Sequence, residues 1–300
     1  MDVADLKVFE AVARLGGMSR AAAELHTVQS NVTARIRLLE DRLKAPLFER
    51  HSRGVALAPA GHRLLPYAIR IMDLLGEARR AAMDDGVPRG PLVFGALETT
   101  TAMHLSPLLA SFVAAWPEVE LSLRTGTTAE LIEGVLERRL EAALVCGPVD
   151  HPELTEEAVC REELVVLTAP AVTRLDGLLE RNDVKIVVLR LGCSYRQRLE
   201  EILARRGVVG LRRLEFGTLE AIYGCVAAGL GITLLPRGMI GPVWRDGRIR
   251  LHTLSSAEAV VETVHVRRRD RHASSGLIAF LAHLRAGIGP ASAIKGGSPP

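Results

Sequence analysis

Gln29, Ser30 and Thr33, followed by Arg37, bring an amide, two hydroxyls and a guanidinium onto one side of any helix that contains them. These groups suit a nucleic-acid groove. A glutamine amide can pair with a base edge, hydroxyls reach bases or phosphates, and a helix N-terminus favours a phosphate. A second set of hydroxyls follows strand-like segments: Thr99-Thr100-Thr101, Thr127-Thr128 after Gly126, and Ser194 after Gly192-Cys193. At strand ends their N–H and O–H groups could hold a carboxylate or similar anion, with Gly147, Tyr195 and Thr218 as further lining. Helix capping is the competing role for each of these threonines. No GxSxG, HExxH, Gly-rich phosphate loop or Cys/His grouping is present, so no catalytic residues, metal ligands or cofactor are expected and the chain does not read as an enzyme.

The DNA-facing set needs a scaffold, and the first sixty residues supply the pattern for one. Leu6, Phe9, Val12 and Ala13 predict a helix ending at Gly16-Gly17. Ser19 then reads as the N-cap of a short alanine-rich helix, Arg20 to Leu25. After a break at His26-Thr27, Val28, Val32, Ile36 and Leu39 form the apolar stripe of a third helix, leaving the polar set outward. Two helices across a tight turn are the layout of a helix-turn-helix. Leu47-Phe48, the turn His51-Ser52-Arg53-Gly54 and the return Val55-Ala56-Leu57 read as a small wing. Between Arg20 and Arg53 seven basic residues stand against four acidic ones, an excess equal to the whole chain's +3. Ser19, Arg20, Thr27, Gln29, Ser30, Thr33, Arg35, Arg37, Arg50 and Arg53 are therefore the candidate DNA-contacting residues.

The order of helix, turn, Q-S-x-x-T helix, LFER-x-S-R-G and A-P-A-G resembles the N-terminal domain of LysR-type transcriptional regulators. The resemblance implies a winged helix-turn-helix that places Gln29, Ser30 and Thr33 toward the major groove and Arg53 in the wing, and that binds double-stranded DNA as a dimer. It further implies tetramers, and a regulator reading adds RNA polymerase as an expected partner. Ala34 stands where the family pattern usually has an arginine, with Arg35 following, and Ser30 stands where relatives often have proline.

Leu64, Ala68, Ile71, Leu75, Ala78 and Ala82 alternate at spacings of four and three, a heptad seam that predicts a dimer-forming linker helix over 62–85. Packing on its own domain is the alternative. Pro66 is expected near the helix start, where a kink is tolerable. Asp84 to Pro91 is dense in turn residues and predicts a hinge.

Beyond Pro91, strands and helices alternate: PLVFGAL, the helical ETTTAMHLSPLLASFVAAW, EVELSLRTG, TTAELIEGVLERRL and LEAALVCG, a pattern that predicts an open parallel sheet. A second set, with strands near 163–168 and 185–191 and helices near 195–206 and 219 onward, suggests a second α/β subdomain. This part resembles the LysR-type effector-binding domain, which implies a periplasmic-binding-protein-like fold with a small-molecule effector in the cleft between subdomains. The expected fold is thus α/β with a helix-rich winged helix-turn-helix at the N-terminus. The expected domains are 1–60 (DNA binding), 61–90 (linker helix and hinge), 91–288 (effector domain; subdomain I 91–162 with 267–288, subdomain II 163–266) and a disordered tail, 289–300.

Composition sets outer limits. At 300 residues, 48% hydrophobic and 24% charged, the chain is long enough for several folded domains. No run nears about 18 uninterrupted apolar residues, and the first residues lack a secretory pattern, so a cytoplasmic protein without a membrane span is expected. Cys146, Cys160, Cys193 and Cys225 are far apart and read as buried thiols. A redox pair of Cys193 with Cys225 would need their Cα atoms within about 7 Å. The run Arg267 to His272 invites a phosphate reading, against which a solvated strand end is the simpler expectation.

Overall fold

The computed structural model describes residues 1–51, 54–179, 184–208, 210–240 and 247–288, without the side chains of Arg50 and Leu179. Of the expected wing cations, the side chain of Arg50 and the whole of Arg53 lie outside the described residues, as does the expected tail 289–300. The chain divides into two compact units, Met1–Asp84 and the residues from Asp85 onward.

In the first unit, α1 (Val3–Leu15) starts at a capping box in which the Asp2 carboxylate accepts from Asp5 N–H and the Asp5 carboxylate accepts from Asp2 N–H. It stops at Gly16 in the left-handed region, φ 64°. α2 spans Met18–Glu24, so its N-cap is Gly17 and not Ser19. Burial of Met18 draws the helix start two residues earlier than the capping preference of serine suggests. α3 (Gln29–Leu43) buries Val32, Ile36 and Leu39. Val28, expected on that stripe, is instead the N-cap and 65% exposed, because the chain is still extended there. β1 (Phe48–His51) and β2 (Gly54–Leu57) pair antiparallel as a hairpin. Phe48 packs on Phe9 of α1 with ring centroids 5.3 Å apart.

α4 (Pro59–Met83) opens with Pro59 in its first turn. Pro66, expected near the helix start, is inside the helix two turns from that start. The predicted seam divides: Leu64, Ala68 and Ile71 pack on the unit's own core, whereas Leu75, Ala78 and Ala82 are exposed.

The second unit runs β3 (Gly90–Ala96), α5 (Glu98–Thr100), a π turn over Thr101–Leu105, α6 (Ser106–Ala115), β4 (Val119–Thr125), α7 (Thr128–Leu136) and β5 (Ala142–Cys146). β6 (Leu154–Thr168), α8 (Leu175–Leu179), β7 (Lys185–Val188), α9 (Ser194–Arg205), β8 (Arg212–Glu215), α10 (Leu219–Ala227) and β9 (Thr233–Pro236) follow. The described chain closes with β10 (Arg250–Thr253), α11 (Ser256–Ala259), β11 (Val260–Arg268) and α12 (Ser275–Ile288).

β3, β4 and β5 are parallel, as their β-α-β spacing predicts. The sheet they belong to is mixed, which corrects the all-parallel expectation: β11 runs antiparallel to both β5 and β6, and β6 antiparallel to β9 and β10. The strand expected near 163–168 is the end of a 15-residue strand. Its first half, TEEAVCREE, is too charged to read as one, yet pairing with β11 satisfies its backbone. β6 and β11 thus carry the chain from one lobe into the other. One lobe is cored by Phe94, Phe112 and Phe280 with Leu277 and Leu281; the other by Val165, Leu167, Ile222, Val226 and Leu235.

The basic run at 267–272 is held by the protein itself. Arg268 pairs with Glu153 and Asp270 and donates to Leu136 O, and Arg271 donates to Leu140 O. On β11, burial pushes His265 down to about 4, with Arg267 and Arg285 adding to the shift, and its Nε2 has no hydrogen-bond partner. The unfolded chain takes up a proton near pH 6.5 that the folded chain refuses until about pH 4, so this group removes stability as the pH falls through that window. His265→Phe should therefore abolish about 2 kcal/mol of the acid-induced loss between neutral pH and about pH 5. Urea unfolding of both proteins at the two pH values measures it.

Candidate functional site

The first candidate surface is the N-terminal end of α3. Gln29, Ser30 and Arg37 are exposed, and Thr33 is half-buried beside them. Ser19 donates its hydroxyl to Gln29 Oε1 at 3.0 Å, which ties α2 to the first turn of α3 and sets the glutamine amide. Thr27 accepts from Asn31 Nδ2 at 2.9 Å and so braces the turn before α3. Arg20 is exposed on α2. The first turn of α3 has no side-chain cap, which leaves its N–H groups available to an anion.

Arg35, one of the expected DNA contacts, is also engaged within the unit. Its guanidinium lies 3.3 Å from Asp5, which is 2% exposed and also accepts from Arg42 at 3.0 Å. Asp5 is thereby a hub that clamps α1 to α3. Glu40 performs a similar task for the wing, accepting from the backbone N–H groups of Leu47 and Phe48. Val55 N–H then donates to Gly16 O, seating β2 against the end of α1. Arg42, Glu40 and the Asp5 clamp carry no local sequence signal, since the two sides of each contact lie 7 to 37 residues apart.

The second candidate is a cavity of about 190 Å³ between the lobes of the second unit. One wall is Leu97, Glu98, Thr99 and Thr125 to Thr127; the other is Leu189, Arg190, Cys193 to Tyr195 and Gly217. Of the expected effector residues, Thr99, Thr127, Ser194 and Tyr195 line it, and Thr100, Thr101, Thr128, Gly147 and Thr218 do not. Thr127 is the N-cap of α7 in a capping box with Glu130, and Thr218 caps α10. Thr128 accepts the Ser194 hydroxyl at 2.8 Å, bridging the starts of α7 and α9. These two, with Gly147, edge a separate and wider depression that also includes His151 and Arg198.

On the cavity wall, the Thr99 hydroxyl is buried beside Tyr195 and makes no hydrogen bond of good geometry. Arg190 supplies a cation, 3.9 Å from Glu130 at the rim. Burial raises the Glu98 carboxyl above the usual range, helped by Glu220. Burial likewise raises the Cys193 thiol, so this cysteine is held as a neutral group. All four cysteines are free. The cavity can therefore offer a hydroxyl, a guanidinium, a helix start and a protonatable carboxyl to one small molecule. Glu98 and Arg190 were not anticipated from sequence, because neither is marked by a motif.

Comparison with known proteins finds a family model for each unit. Residues 3–62 match the model of the bacterial regulatory helix-turn-helix protein, lysR family, and residues 85–289 match the LysR substrate binding domain. The chain is 43% identical to the HTH-type transcriptional regulator GltR of Bacillus subtilis strain 168, over 95% of its own length and 96% of the relative's. Its fold is similar to full-length CbnR complexed with its target DNA (TM-score 0.65, 25% identity, 96% of this chain and all of that one). It is also similar to a full-length OxyR variant from Pseudomonas aeruginosa (TM-score 0.67, 22% identity, 97% and 96% of the two chains). With a helix-turn-helix unit ahead of a two-lobed α/β unit and both family models matched in that order, the chain belongs to the LysR family of DNA-binding transcriptional regulators, proteins that are not enzymes.

Proposed function

We propose that the chain is a ligand-gated regulator in which a small carboxylate, carrying a hydrogen-bond donor for Glu98, occupies the cavity between the lobes and changes how paired helix-turn-helix units sit on a dyad site. The observation that carries the ligand-gated reading is the buried, unpartnered Thr99 hydroxyl on the wall of a cavity that also presents Arg190 and the start of α9. An isolated buried hydroxyl costs free energy, and a ligand acceptor would recover it.

On the DNA side, Gln29, Ser30 and Thr33 read base edges, while Ser19, Arg20, Thr27, Arg37 and the wing arginines Arg50 and Arg53 hold the phosphates. The DNA complex of CbnR supports this use of the fold. The exposed apolar positions Tyr67, Leu74, Leu75 and Met83 on α4 support pairing of two chains through that helix, with tetramers and contact to RNA polymerase following from the regulator role. The domain limits are those of a DNA-binding segment 1–60, a linker helix and hinge 61–90, and an effector domain 91–288 whose subdomain limits fall in or beside β6 and β11. Among the described residues no helix is long and apolar enough to cross a membrane, and a DNA regulator acts in the cytoplasm.

Two substitutions separate the roles. Gln29→Ala should weaken specific DNA binding about 10- to 100-fold, the worth of one amide–base pair, and leave effector binding unchanged. Thr99→Val should weaken the effector about tenfold and leave DNA affinity unchanged. Fluorescence anisotropy on a dyad fragment, with and without a panel of small carboxylates, reads both. Equal losses of both activities in either variant would remove the division of labour.

A further inference from the structure

Three potential metal ligands converge at a place that neither the DNA surface nor the effector cavity uses. His104 Nε2, Cys160 Sγ and a carboxylate oxygen of Glu162 all lie within 4.8 Å of one another. His104 Nε2 is 3.0 Å from Glu162 Oε1 and 3.9 Å from Cys160 Sγ. Cys160 and Glu162 are buried, and His104 is the partly open member, with 21% of its side chain exposed. Sequence spacing conceals the set, because His104 is 56 residues from Cys160.

The local backbone explains the convergence. Cys160 and Glu162 are two apart on β6, so their side chains leave the strand on one face. Beside Cys160 the pairing with β11 slips by one residue between Thr263 and Val264, a bulge that re-aims side chains. His104 comes from the π turn over Thr101–Leu105, a wider turn that is frequent at functional sites.

We propose that His104, Cys160 and Glu162 form a binding site for a zinc-like divalent cation, located where β6 passes between the two lobes. The donor chemistry selects the ion: one thiolate, one imidazole and one carboxylate suit a borderline-soft tetrahedral metal and not magnesium or calcium. Bonds of about 2.0 Å to nitrogen and oxygen and about 2.3 Å to sulfur place tetrahedral ligands roughly 3.3–3.7 Å apart, so the present spacings need to change by no more than about an ångström. A simple His104–Glu162 ion pair leaves the thiol at the limit of contact, since one ring N–H cannot point well at both partners. A cation at the centre satisfies all three.

The outer shell is built as well. The Tyr195 hydroxyl donates to Glu162 Oε2 at 3.1 Å, and Thr263 Oγ1 approaches the same oxygen at 3.5 Å, which fixes the carboxylate and leaves Oε1 toward His104. The exposed edge of His104 gives the ion a way in, and the fourth position is left for water. Tyr195 also lines the effector cavity, so cation and effector share a wall residue from the second lobe.

The test is a cobalt titration of the full chain after chelator treatment. The expected result is a thiolate-to-cobalt charge-transfer band that saturates at one equivalent, is displaced by zinc but not by magnesium, and is absent in Cys160→Ser. His104→Gln should weaken cobalt binding at least about tenfold, the loss that even an outer-shell change produces. Cys225→Ser should retain the band. No band in the wild-type chain at saturating cobalt, or a band that survives in Cys160→Ser, overturns the proposal. Should Cys160→Ser fail to fold, the wild-type spectrum and the more exposed His104→Gln decide it, and unchanged affinity in the latter counts against the site.

Discussion

Gly61→Ala is expected to destabilise the Met1–Asp84 unit by more than about 3 kcal/mol and to abolish DNA binding with it. Gly61 lies in the first turn of α4, and an added methyl group would sit 2.2 Å from Leu47 O and 2.8 Å from Leu57 Cδ2. Leu57 could turn aside, but the Leu47 peptide cannot. Its carbonyl accepts from Ala58 N–H at 2.9 Å, and its own N–H donates to Glu40 Oε1 at 2.7 Å. The methyl group must therefore push α4 off the base of the hairpin. A loss of this size is a large share of what an 84-residue unit has to spare. Calorimetry should show the transition of the first unit lowered or lost and that of the second unit unmoved. A wild-type melting profile would mean that the helix and hairpin do not meet at this glycine.

Asp5→Ala is expected to cost about 3 kcal/mol in the same unit, for a different reason. The Asp5 carboxylate is almost wholly buried, completes the α1 capping box and accepts from both Arg35 and Arg42 on α3. Deleting it leaves two guanidinium groups facing one another without their shared counter-charge and removes a cap. Because both arginines are about 40% exposed, water recovers part of the loss, which places the value at the low end for a broken buried pair. DNA affinity should fall as well, since Asp5 fixes the helix that carries Gln29. Urea unfolding and anisotropy measure the two effects, and a change in DNA affinity without any loss of stability would show that Arg35 acts on DNA directly.

The parts of the fold that repeat a short-range pattern were readable from sequence. The three helices, the hairpin around Gly54 and the β3-α-β4-α-β5 run all show apolar spacing that local geometry demands. What sequence hides is set by distant partners. Arg35 has the residue type and placement of a DNA contact, and only the position of α1 reveals its engagement with Asp5. The polar half of β6 reads as a loop until β11, about a hundred residues on, pairs with it. Ser19 is a better capping residue than Gly17, yet the buried Met18 shifts the helix.

The cavity illustrates the same limit on the site itself. Threonines after strands can cap helices or face a ligand, and sequence gives both roles one appearance. Thr127 and Thr218 cap, Thr128 bridges to Ser194, and of the three threonines with unpartnered hydroxyls, Thr99, Thr100 and Thr101, Thr99 lines the cavity. Glu98 and Arg190 gain meaning only from their place on opposite walls.

The most direct test of a ligand-gated, groove-reading regulator is a footprint of the full chain on the DNA upstream of its own coding region, repeated across salt. Wild type, Gln29→Ala and Thr99→Val are run side by side. The expected result is salt-sensitive protection of two half-sites one or more helical turns apart, lost in Gln29→Ala and kept in Thr99→Val. Protection that survives unchanged in Gln29→Ala, or no protection of any genomic fragment by the wild-type chain, would contradict it.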